Sequence, residues 1–382
     1  MLIYQRIQQR CKFQKTHQLI RYRNIYNSAK LINFASNDYL GLSQHPHVKA
    51  AAIKAANCYG VGATASAVVC GYTREQHLLE QQLAEFMQRD ACMLFANGYS
   101  ANYAVLTTLF EKQDILFLDH EAHASLIEGA LASRACYKRY RHLSAEHLEQ
   151  LLKQYASPVS AIITESIFSL TGKQASLLKL AKLAQHYTSL LYVDEAHGFG
   201  ICGSQGQGLV AASGLTQNQV PLVMVGLGKA MGGFGGALVG NKDLINYLQQ
   251  FARAGIYSTA LPPMVVAANV ASLEVMQREY WRREYLSEIT GYFKSTAQRL
   301  GLALIQSDMP IQAILCPDVS RALQLSEYLY QHGLLVYAMR PPTVAPHATS
   351  MRISLSVHHT KHDIKRLLTM IANFLQNFHV AA

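Results

Sequence analysis

The feature that most constrains the fold is an alternation, from about residue 60 to residue 240, of short apolar runs with helical stretches. Such alternation predicts a mostly parallel sheet with helices on both faces. The runs that we predict to be buried strands are Ala91–Phe95, Asp114–Leu118, Val159–Thr164, Leu190–Val193, Leu222–Val225 and Gly236–Val239. Because ligands gather at the carboxyl ends of such strands, the residues just past these runs are the first candidates for a site.

The pattern changes after about Pro262, where a helical region from Met264 to about Leu300 leads into a second set of elements. These are short strands near Ile311–Leu315, Leu334–Tyr337 and Met351–Ser356, and a final amphipathic helix over Lys361–Phe378. With 382 residues, the chain is long enough for more than one unit. We predict an α/β protein with an N-terminal segment (1–40), a large sheet domain (41–277) and a smaller C-terminal α/β domain (278–382).

Composition narrows the functional class. Hydrophobic residues make up 50% of the chain and charged residues 15%, which predicts a globular enzyme that hides surface between domains or subunits. The net charge is +10, but the basic residues are scattered, apart from a short patch at Arg134, Lys138, Arg139 and Arg141. Such scatter argues against nucleic acid as a partner. The patch suits an acidic substrate or carrier protein, or is simply a solvated basic face.

Cysteine spacing and hydropathy bear on location. The seven cysteines include no C-x-x-C pair, so neither a disulfide framework nor a zinc site is indicated. The chain has no run of roughly 18 apolar residues and no signal-peptide pattern at its start. We therefore expect a cytoplasmic protein with no membrane segment.

An acid and a histidine follow the predicted strand Leu190–Val193, in the run Asp194-Glu195-Ala196-His197. Helicase-type nucleotide hydrolases use this run to hold magnesium, whereas pyridoxal-phosphate (PLP) enzymes pair the Asp with the protonated pyridine nitrogen. The helicase interpretation needs an upstream G-x-x-x-x-G-K-[ST] loop. The nearest match, at Lys229, lies downstream and has Val223 and Ala230 at two motif positions, so the cofactor interpretation is favoured.

Lys229 lies just past the predicted strand Leu222–Val225, among glycines and apolar residues. Small neighbours let a bulky ring approach the backbone. Partial desolvation in such a setting lowers the pKa of a lysine and suits it to imine chemistry, although a surface-loop lysine is the alternative.

Three further predicted strands are followed by candidate side chains or amides. Gly98 and Tyr99 open a predicted helix, where free N–H groups and the helix dipole bind phosphate, although a plain N-cap turn is the alternative. His120 and His123 do not have the spacing of a helical metal motif, so His123 is better suited to stack on a cofactor ring than to bind a metal, although a hydrogen-bonded structural histidine is the alternative. Ser169 is a polar residue that either contacts the cofactor or caps a loop.

These segments, in this order, resemble the α-oxoamine synthases, which belong to the fold type I (aspartate aminotransferase-like) PLP superfamily. The resemblance extends over nearly the whole chain. The run Asn33–Leu42 is similar to the opening motif of the family, while Phe251–Arg253, Ile256–Pro263 and Arg340–Val344 are similar to its biotin-pathway branch.

The resemblance implies a set of cofactor contacts. Lys229 would form the aldimine with PLP, Asp194 would pair with the pyridine nitrogen, and His197 would lie near the ring hydroxyl. His123 would stack on the ring beside the substrate, and Ser169 would contact the cofactor. The implied catalytic residues are therefore Lys229, Asp194, His123 and His197.

The resemblance also implies phosphate and dimer contacts. Gly98 and Tyr99 would offer backbone N–H groups to the phosphate. Ser258 and Thr259 would reach the phosphate of the neighbouring subunit, which implies a homodimer with shared active sites.

Substrate contacts are implied as well. Arg352 would bind the amino-acid carboxylate as a bidentate partner, with Asn37 close by. Thr343 would contact substrate, and an N-terminal arginine, Arg21 or Arg23, would contact the acyl chain.

The implied reaction is the decarboxylating condensation of L-alanine with a pimeloyl thioester of coenzyme A or a carrier protein, a step of biotin biosynthesis. Related activities remain open: a 2-amino-3-ketobutyrate ligase, a 5-aminolevulinate synthase or a synthase of acyl-aminoketone signals. Gly226 stands where the family usually has a Thr that contacts the cofactor. That departure keeps open a non-catalytic protein that binds an acyl carrier.

Overall fold

The computed structural model describes residues 2–17, 19–26, 30–155 and 159–377. The strands are β1 (Ile32–Asn33), β2 (Ala91–Phe95), β3 (Ile115–Asp119), β4 (Cys136–Tyr140), β5 (Ser160–Glu165), β6 (Leu190–Asp194), β7 (Leu222–Gly226), β8 (Gly236–Gly240), β9 (Leu304–Ile305), β10 (Ile311–Leu315), β11 (Leu334–Leu335), β12 (Tyr337–Met339) and β13 (Ser350–Ser354). The helices are α1 (Leu2–Thr16), α2 (Pro46–Tyr59), α3 (Arg74–Phe86), α4 (Gly98–Leu109), α5 (Ala124–Ser133), α6 (Ala145–Gln154), α7 (Leu177–His186), α8 (Leu209–Ala212), α9 (Lys242–Phe251), α10 (Arg253–Ile256), α11 (Pro263–Arg278), α12 (Trp281–Arg299), α13 (Val319–Gln331) and α14 (Lys361–Asn377).

The larger sheet has seven strands in the order β2-β8-β7-β6-β5-β3-β4. β8 runs antiparallel to both of its neighbours, and the remaining pairs are parallel. The prediction of a mostly parallel sheet is confirmed, and each of its six predicted strands has bounds within one residue of those found. The carboxyl ends of β2, β3, β5, β6 and β7 therefore lie along one edge of the sheet.

Both faces of this sheet are covered. In β5, Ile162 packs into the hydrophobic cluster on one face, and Ala161 and Ile163 pack into the cluster on the other. All six residues of the strand are buried. This is why the strands read as continuous apolar runs rather than as alternating ones.

The sequence prediction missed edge strand β4, which contains Lys138 and Arg139 of the predicted basic patch. Lys138 lies over the Tyr155 ring, with its Nζ 4.3 Å from the ring centroid, and Arg139 donates to the carbonyl of His120. Charged side chains on an edge strand discourage pairing with other chains. Two residues of the patch thus have partners within the chain, and its use by an acidic ligand stays a prediction.

The smaller sheet has the order β12-β13-β10-β9 and is antiparallel throughout. The N-terminal strand β1 pairs in parallel with β11, and the Ser354 amide donates to the Phe34 carbonyl at 2.7 Å. Residues 32–39 therefore run along C-terminal strands. The domain bounds at residues 40 and 277 stay a prediction.

Two helical regions were predicted in the C-terminal part of the chain. The region from Met264 to Leu300 is two helices, because α11 ends at Arg278 and α12 begins at Trp281. Arg282 Nε donates to Glu279 Oε2 at 2.8 Å across this break. Helix α14 begins at Lys361, as predicted for the final helix. The predicted end of that helix, Phe378, lies outside the described residues. None of the helices in the described ranges is long and apolar enough to span a membrane.

Candidate active site

A cavity of about 320 Å³ opens at the carboxyl ends of the central strands. Seven residues singled out from the sequence line it: Asn37, Gly98, Tyr99, His123, Asp194, His197 and Lys229. Residues that were not singled out also line it, among them Asn102, Ser125 and Glu165. The structure thus brings together groups that lie up to 192 positions apart in the chain.

Lys229 follows β7 and is half-buried at the cavity wall. Burial lowers the pKa of its amine, while the nearby carboxyls of Asp194 and Glu165 act in the opposite direction. Among the described residues, no hydrogen bond or ion pair holds this amine. A desolvated lysine of lowered pKa is a nucleophile near neutral pH, as imine formation requires.

Asp194 ends β6 and is buried, with only 4% of its surface exposed. Its Oδ1 accepts from the Ala196 amide and its Oδ2 from Asn102 Nδ2, each at 2.8 Å. Two such donors stabilise a carboxylate in a low-dielectric interior. Asn102 is in turn held by the Tyr192 hydroxyl, which donates to its Oδ1 at 2.7 Å. Asp194 is therefore a fixed negative charge at the floor of the cavity.

Glu165 ends the adjacent strand β5 and pairs in register with Asp194. Burial and the neighbouring Asp194 charge raise the pKa of Glu165 well above its ordinary value. Asp194 has donors on both oxygens, whereas Glu165 Oε1 is buried without a partner in the described chain.

The ring of His123 has a fixed tautomer. Its Nδ1 accepts from the Ser125 amide at 3.2 Å and lies 2.8 Å from the Ser125 hydroxyl. That hydroxyl accepts from Asn102 Nδ2, so its own hydrogen is free for His123. Nδ1 is therefore an acceptor and Nε2 carries the hydrogen. Desolvation lowers the pKa of His123, which favours a neutral imidazole, and the residue lines the cavity.

His197 and Arg352 are joined through Tyr39 and Asn37. The Tyr39 hydroxyl lies 2.8 Å from His197 Nδ1 and 3.2 Å from Asn37 Oδ1. Arg352 Nη2 donates to the same Asn37 oxygen at 3.1 Å, and its Nε donates to the Ser169 carbonyl at 2.7 Å. The structure thus places Arg352 beside Asn37 and the Ser169 backbone, although neither Arg352 nor Ser169 is among the residues that line the cavity. The cofactor contact of Ser169 and the substrate contact of Arg352 stay predictions.

The start of α4 has free amides. Asn97 caps the helix, with its Oδ1 accepting from the Ser100 amide at 2.8 Å and its carbonyl accepting from Ala101. The amides of Gly98 and Tyr99 come before the first helical hydrogen bond and face the cavity region. An aromatic aldehyde with a phosphate tail fits this site: a helix start for the phosphate, a carboxylate for a ring cation and a primary amine for the aldehyde.

Gly236 in β8 lets that strand pass directly beneath the start of α4. A Cβ at this position would lie 2.6 Å from the backbone carbon of Asn97 and 2.6 Å from the Gly98 nitrogen. We expect Gly236→Ala to raise the Kd for PLP about ten- to 100-fold. The added methyl group would displace the start of α4, and one or two hydrogen bonds from backbone amides to the charged phosphate would be lost. Equilibrium dialysis checks this value.

Gly291→Ala is the matched control, because a Cβ at this exposed position of α12 meets no atom within 4 Å. It should leave the Kd unchanged and stabilise the helix by about 1 kcal/mol. An unchanged Kd in Gly236→Ala would contradict the phosphate assignment to this helix start.

Other predicted residues lie away from the cavity wall. Arg21 Nη2 donates to the Thr343 hydroxyl at 3.2 Å, which favours Arg21 over Arg23 as the partner of that loop. Ser258 and Thr259 are exposed and lie outside the cavity of their own chain. A role for Ser258 and Thr259 therefore requires a second subunit and stays a prediction.

Gly226, the predicted departure, ends β7 and lines the cavity. A Cβ there would lie 3.2 Å from the Ala196 Cβ, so a larger residue would have to displace the Asp194 loop slightly. Four supporting residues escaped the sequence prediction: Tyr39, Asn102, Ser125 and Glu165. Their shared mark is the burial of a polar group, which only the fold reveals.

Within the described chain, no three His, Cys, Asp or Glu side chains are placed to hold a metal ion.

Comparison with known proteins shows which family the chain belongs to. The sequence matches the family described as aminotransferase class I and II over residues 29–371. The 8-amino-7-oxononanoate synthase of Saccharophagus degradans is 42% identical over 94% of this chain and 90% of its own length. That of Nitrosococcus oceani is 40% identical over 94% and 98%, respectively.

Solved structures of related enzymes have the same fold as this chain. The 8-amino-7-oxononanoate synthase of Francisella tularensis superposes with a TM-score of 0.81 at 31% identity, covering 92% of this chain and all of that one. A serine palmitoyltransferase of S. paucimobilis, solved with a PLP–myriocin aldimine, has a TM-score of 0.88 at 27% identity over 92% and 88% of the two chains. The fold is that of the fold type I PLP enzymes, and the chain belongs to the 8-amino-7-oxononanoate synthase family.

Proposed function

We propose that this protein is a PLP-dependent acyltransferase that condenses L-alanine with a pimeloyl thioester. The products are 8-amino-7-oxononanoate, CO₂ and the free thiol of coenzyme A or a carrier protein. Family membership supports the reaction class. The observation that carries the proposal is the pairing, in one cavity, of an amine of lowered pKa at Lys229 with the doubly hydrogen-bonded carboxylate of Asp194.

The chain's own residues divide the chemistry between them. PLP, when bound, supplies an electron sink for the negative charge that develops at the substrate Cα. Asp194 would hold the pyridine nitrogen of the cofactor protonated by its charge, and His123 would pack against the cofactor ring. The Lys229 amine would hold the cofactor and accept the Cα proton of alanine. Its lowered pKa suits it to this task at neutral pH.

Arg352 is the group that binds the amino-acid carboxylate. The residue is 7% exposed, and Ser169, Ser354 and Asn37 accept hydrogen bonds from three of its five N–H groups. Two N–H groups remain for a carboxylate. A planar guanidinium fixed from three sides orients the substrate, which keeps the Cα–H bond at a constant angle to the cofactor ring.

A homodimer completes the site in this proposal. Ser258 and Thr259 are exposed, and the Ala260 amide donates to the Ala65 carbonyl at 3.0 Å, which fixes the segment against the 60s loop. From this position the two hydroxyls would reach the phosphate of the partner subunit's site. A cytoplasmic location also stays a prediction, which rests on the cysteine pattern and on the small-molecule chemistry.

A substrate matrix tests the proposal. The purified holoenzyme is incubated with alanine, glycine or serine against acetyl, pimeloyl and palmitoyl thioesters of coenzyme A, and against a pimeloyl carrier protein. Thiol release and mass spectrometry of the product are measured. We expect alanine with a pimeloyl donor to exceed every other pair by at least about tenfold in kcat/KM, because pocket fit and orientation both act on this ratio.

Preferred use of glycine with an acetyl donor would instead assign a ligase of the 2-amino-3-ketobutyrate type. Preferred use of serine with a palmitoyl donor would instead assign a serine palmitoyltransferase activity, the activity for which the solved structural relative is named. Absence of turnover with all pairs, in protein that binds PLP, would support the non-catalytic alternative.

A further inference from the structure

Three buried side chains and one half-buried side chain form a continuous relay between two sides of the active site: Arg352, Tyr39 and His197 are buried, and Asn37 is half-buried. Arg352 Nη2 donates to Asn37 Oδ1 at 3.1 Å, the Tyr39 hydroxyl lies 3.2 Å from the same oxygen, and His197 Nδ1 lies 2.8 Å from that hydroxyl. Tyr39 is fully buried, and the Arg352 guanidinium also lies close to its hydroxyl. This hydroxyl therefore connects the Arg352–Asn37 pair with His197.

The Asn37 oxygen has more donors than lone pairs. Arg352 Nη2, the Ser354 hydroxyl at 3.4 Å and the Tyr39 hydroxyl all approach it, whereas a carbonyl oxygen has two lone pairs. Tyr39 has a single hydrogen and a second, nearer acceptor in His197 Nδ1. While Arg352 occupies Asn37, the Tyr39 hydrogen is therefore better placed on His197.

The position of this hydrogen decides the tautomer of His197. If Tyr39 donates to Nδ1, the imidazole carries its own hydrogen on Nε2, at the cavity. If Tyr39 donates to Asn37, His197 must donate from Nδ1, and Nε2 becomes an acceptor. Burial lowers the pKa of His197 well below its ordinary value, and the nearby charges of Lys229 and Arg352 act in the same direction, so the ring stays neutral. Burial raises the pKa of Tyr39 to about 12, so its hydroxyl keeps its hydrogen.

We propose that Tyr39 is a positioning residue that transmits carboxylate binding at Arg352 to the tautomer of His197. In this proposal a carboxylate bound by the two free N–H groups of Arg352 pulls Nη2 toward itself and breaks the bond to Asn37 Oδ1, which frees a lone pair there. Tyr39 then donates to Asn37, and His197 presents a bare Nε2 to the cavity instead of an N–H. The inference rests on the proposed function, because it takes a carboxylate as the ligand of Arg352.

The test uses propionate, which has the carboxylate and carbon chain of alanine but no amine to react with the cofactor. The absorbance of the bound cofactor in the holoenzyme is titrated with pH in sodium propionate and in sodium chloride of equal ionic strength. In the wild type, propionate should shift the apparent pKa of the chromophore by about 0.4 to 1 unit, the size of one net hydrogen bond.

Tyr39→Phe should lose this shift, and its Kd for propionate should rise about two- to tenfold, because Asn37 Oδ1 is left without its replacement donor. Tyr140→Phe is the matched control, since Tyr140 is also fully buried but lies on β4, outside the relay. It should keep the wild-type shift. An undiminished shift in Tyr39→Phe, or the absence of a shift in the wild type, would overturn the proposal.

A second measurement does not depend on the folding of any Tyr39 variant. In wild-type holoenzyme labelled with ¹⁵N-histidine, the two His197 nitrogen shifts report the tautomer, and a His197→Asn variant assigns them. Propionate should move the ring hydrogen from Nε2 to Nδ1, so that the two nitrogens swap their protonated and unprotonated chemical shifts. Unchanged shifts at saturating propionate would contradict the relay. Neither measurement includes an acyl donor, so a failure of the condensation reaction is seen separately, in the substrate matrix.

Discussion

Lys229→Ala should remove the long-wavelength absorbance of the lysine-bound cofactor and lower turnover by at least about 10³-fold. The expectation follows from two tasks of one amine: it is the cavity lysine that can condense with the aldehyde, and it accepts the substrate proton, a step worth about 10²–10⁴ by itself. Visible absorbance of the PLP-reconstituted variant and single-turnover kinetics measure the two losses.

Lys242→Ala serves as the control for Lys229→Ala. Lys242 follows strand β8 and is exposed at the start of α9, away from the cavity wall. This variant should keep both the absorbance and the rate. A yellow Lys229→Ala protein with normal turnover would refute the assignment of the amine.

Asp194→Asn should retain the fold and lower kcat by about 10²–10³, as found when one preorganised charge-stabilising group is removed from an active site. Both oxygens of Asp194 accept hydrogen bonds, so an Asn amide nitrogen would have to face either the Ala196 amide or Asn102 Nδ2. The variant thus loses the charge opposite the ring cation and places a donor against a donor. Steady-state kinetics and the PLP Kd measure the two effects.

Asp114→Asn is the matched control for the charge change. Asp114 is also buried, just before β3 at the opposite edge of the sheet, where its Oδ2 accepts from the Glu111 amide at 2.7 Å. It should lose stability without a comparable loss of kcat. Equal effects of the two substitutions on kcat would mean that Asp194 acts only through the fold.

The sheet and the first layer of the site could be predicted from the sequence for one physical reason. Strands buried on both faces are written as uninterrupted apolar runs, and a parallel sheet brings their carboxyl ends to one edge. The positions of Lys229, Asp194 and His123 just past such runs therefore suffice to predict that they lie near one another. The sequence alone did not distinguish Arg21 from Arg23 as the predicted acyl-chain contact. The 3.2 Å contact between Arg21 and Thr343 favours Arg21.

What could not be predicted depends on contacts between distant segments. Strand β4 was missed because its charged residues hide the apolar signal, a feature of edge strands. Asn102 lies inside a helix, where a polar residue reads as surface, yet it is 1% exposed and donates to Asp194. From the sequence, Glu165 looks like an ordinary strand end, and the raised pKa of its carboxyl follows from burial and from the register that places it beside Asp194.

The most direct test of the central claim is to reduce the holoenzyme with borohydride, digest it and locate the cofactor by mass spectrometry. Reduction fixes PLP permanently to the amine that holds it. The account predicts a single labelled peptide with the cofactor on Lys229, and loss of that label in Lys229→Ala. Cofactor on a different lysine, or an unlabelled Lys229 peptide in fully active enzyme, would contradict it.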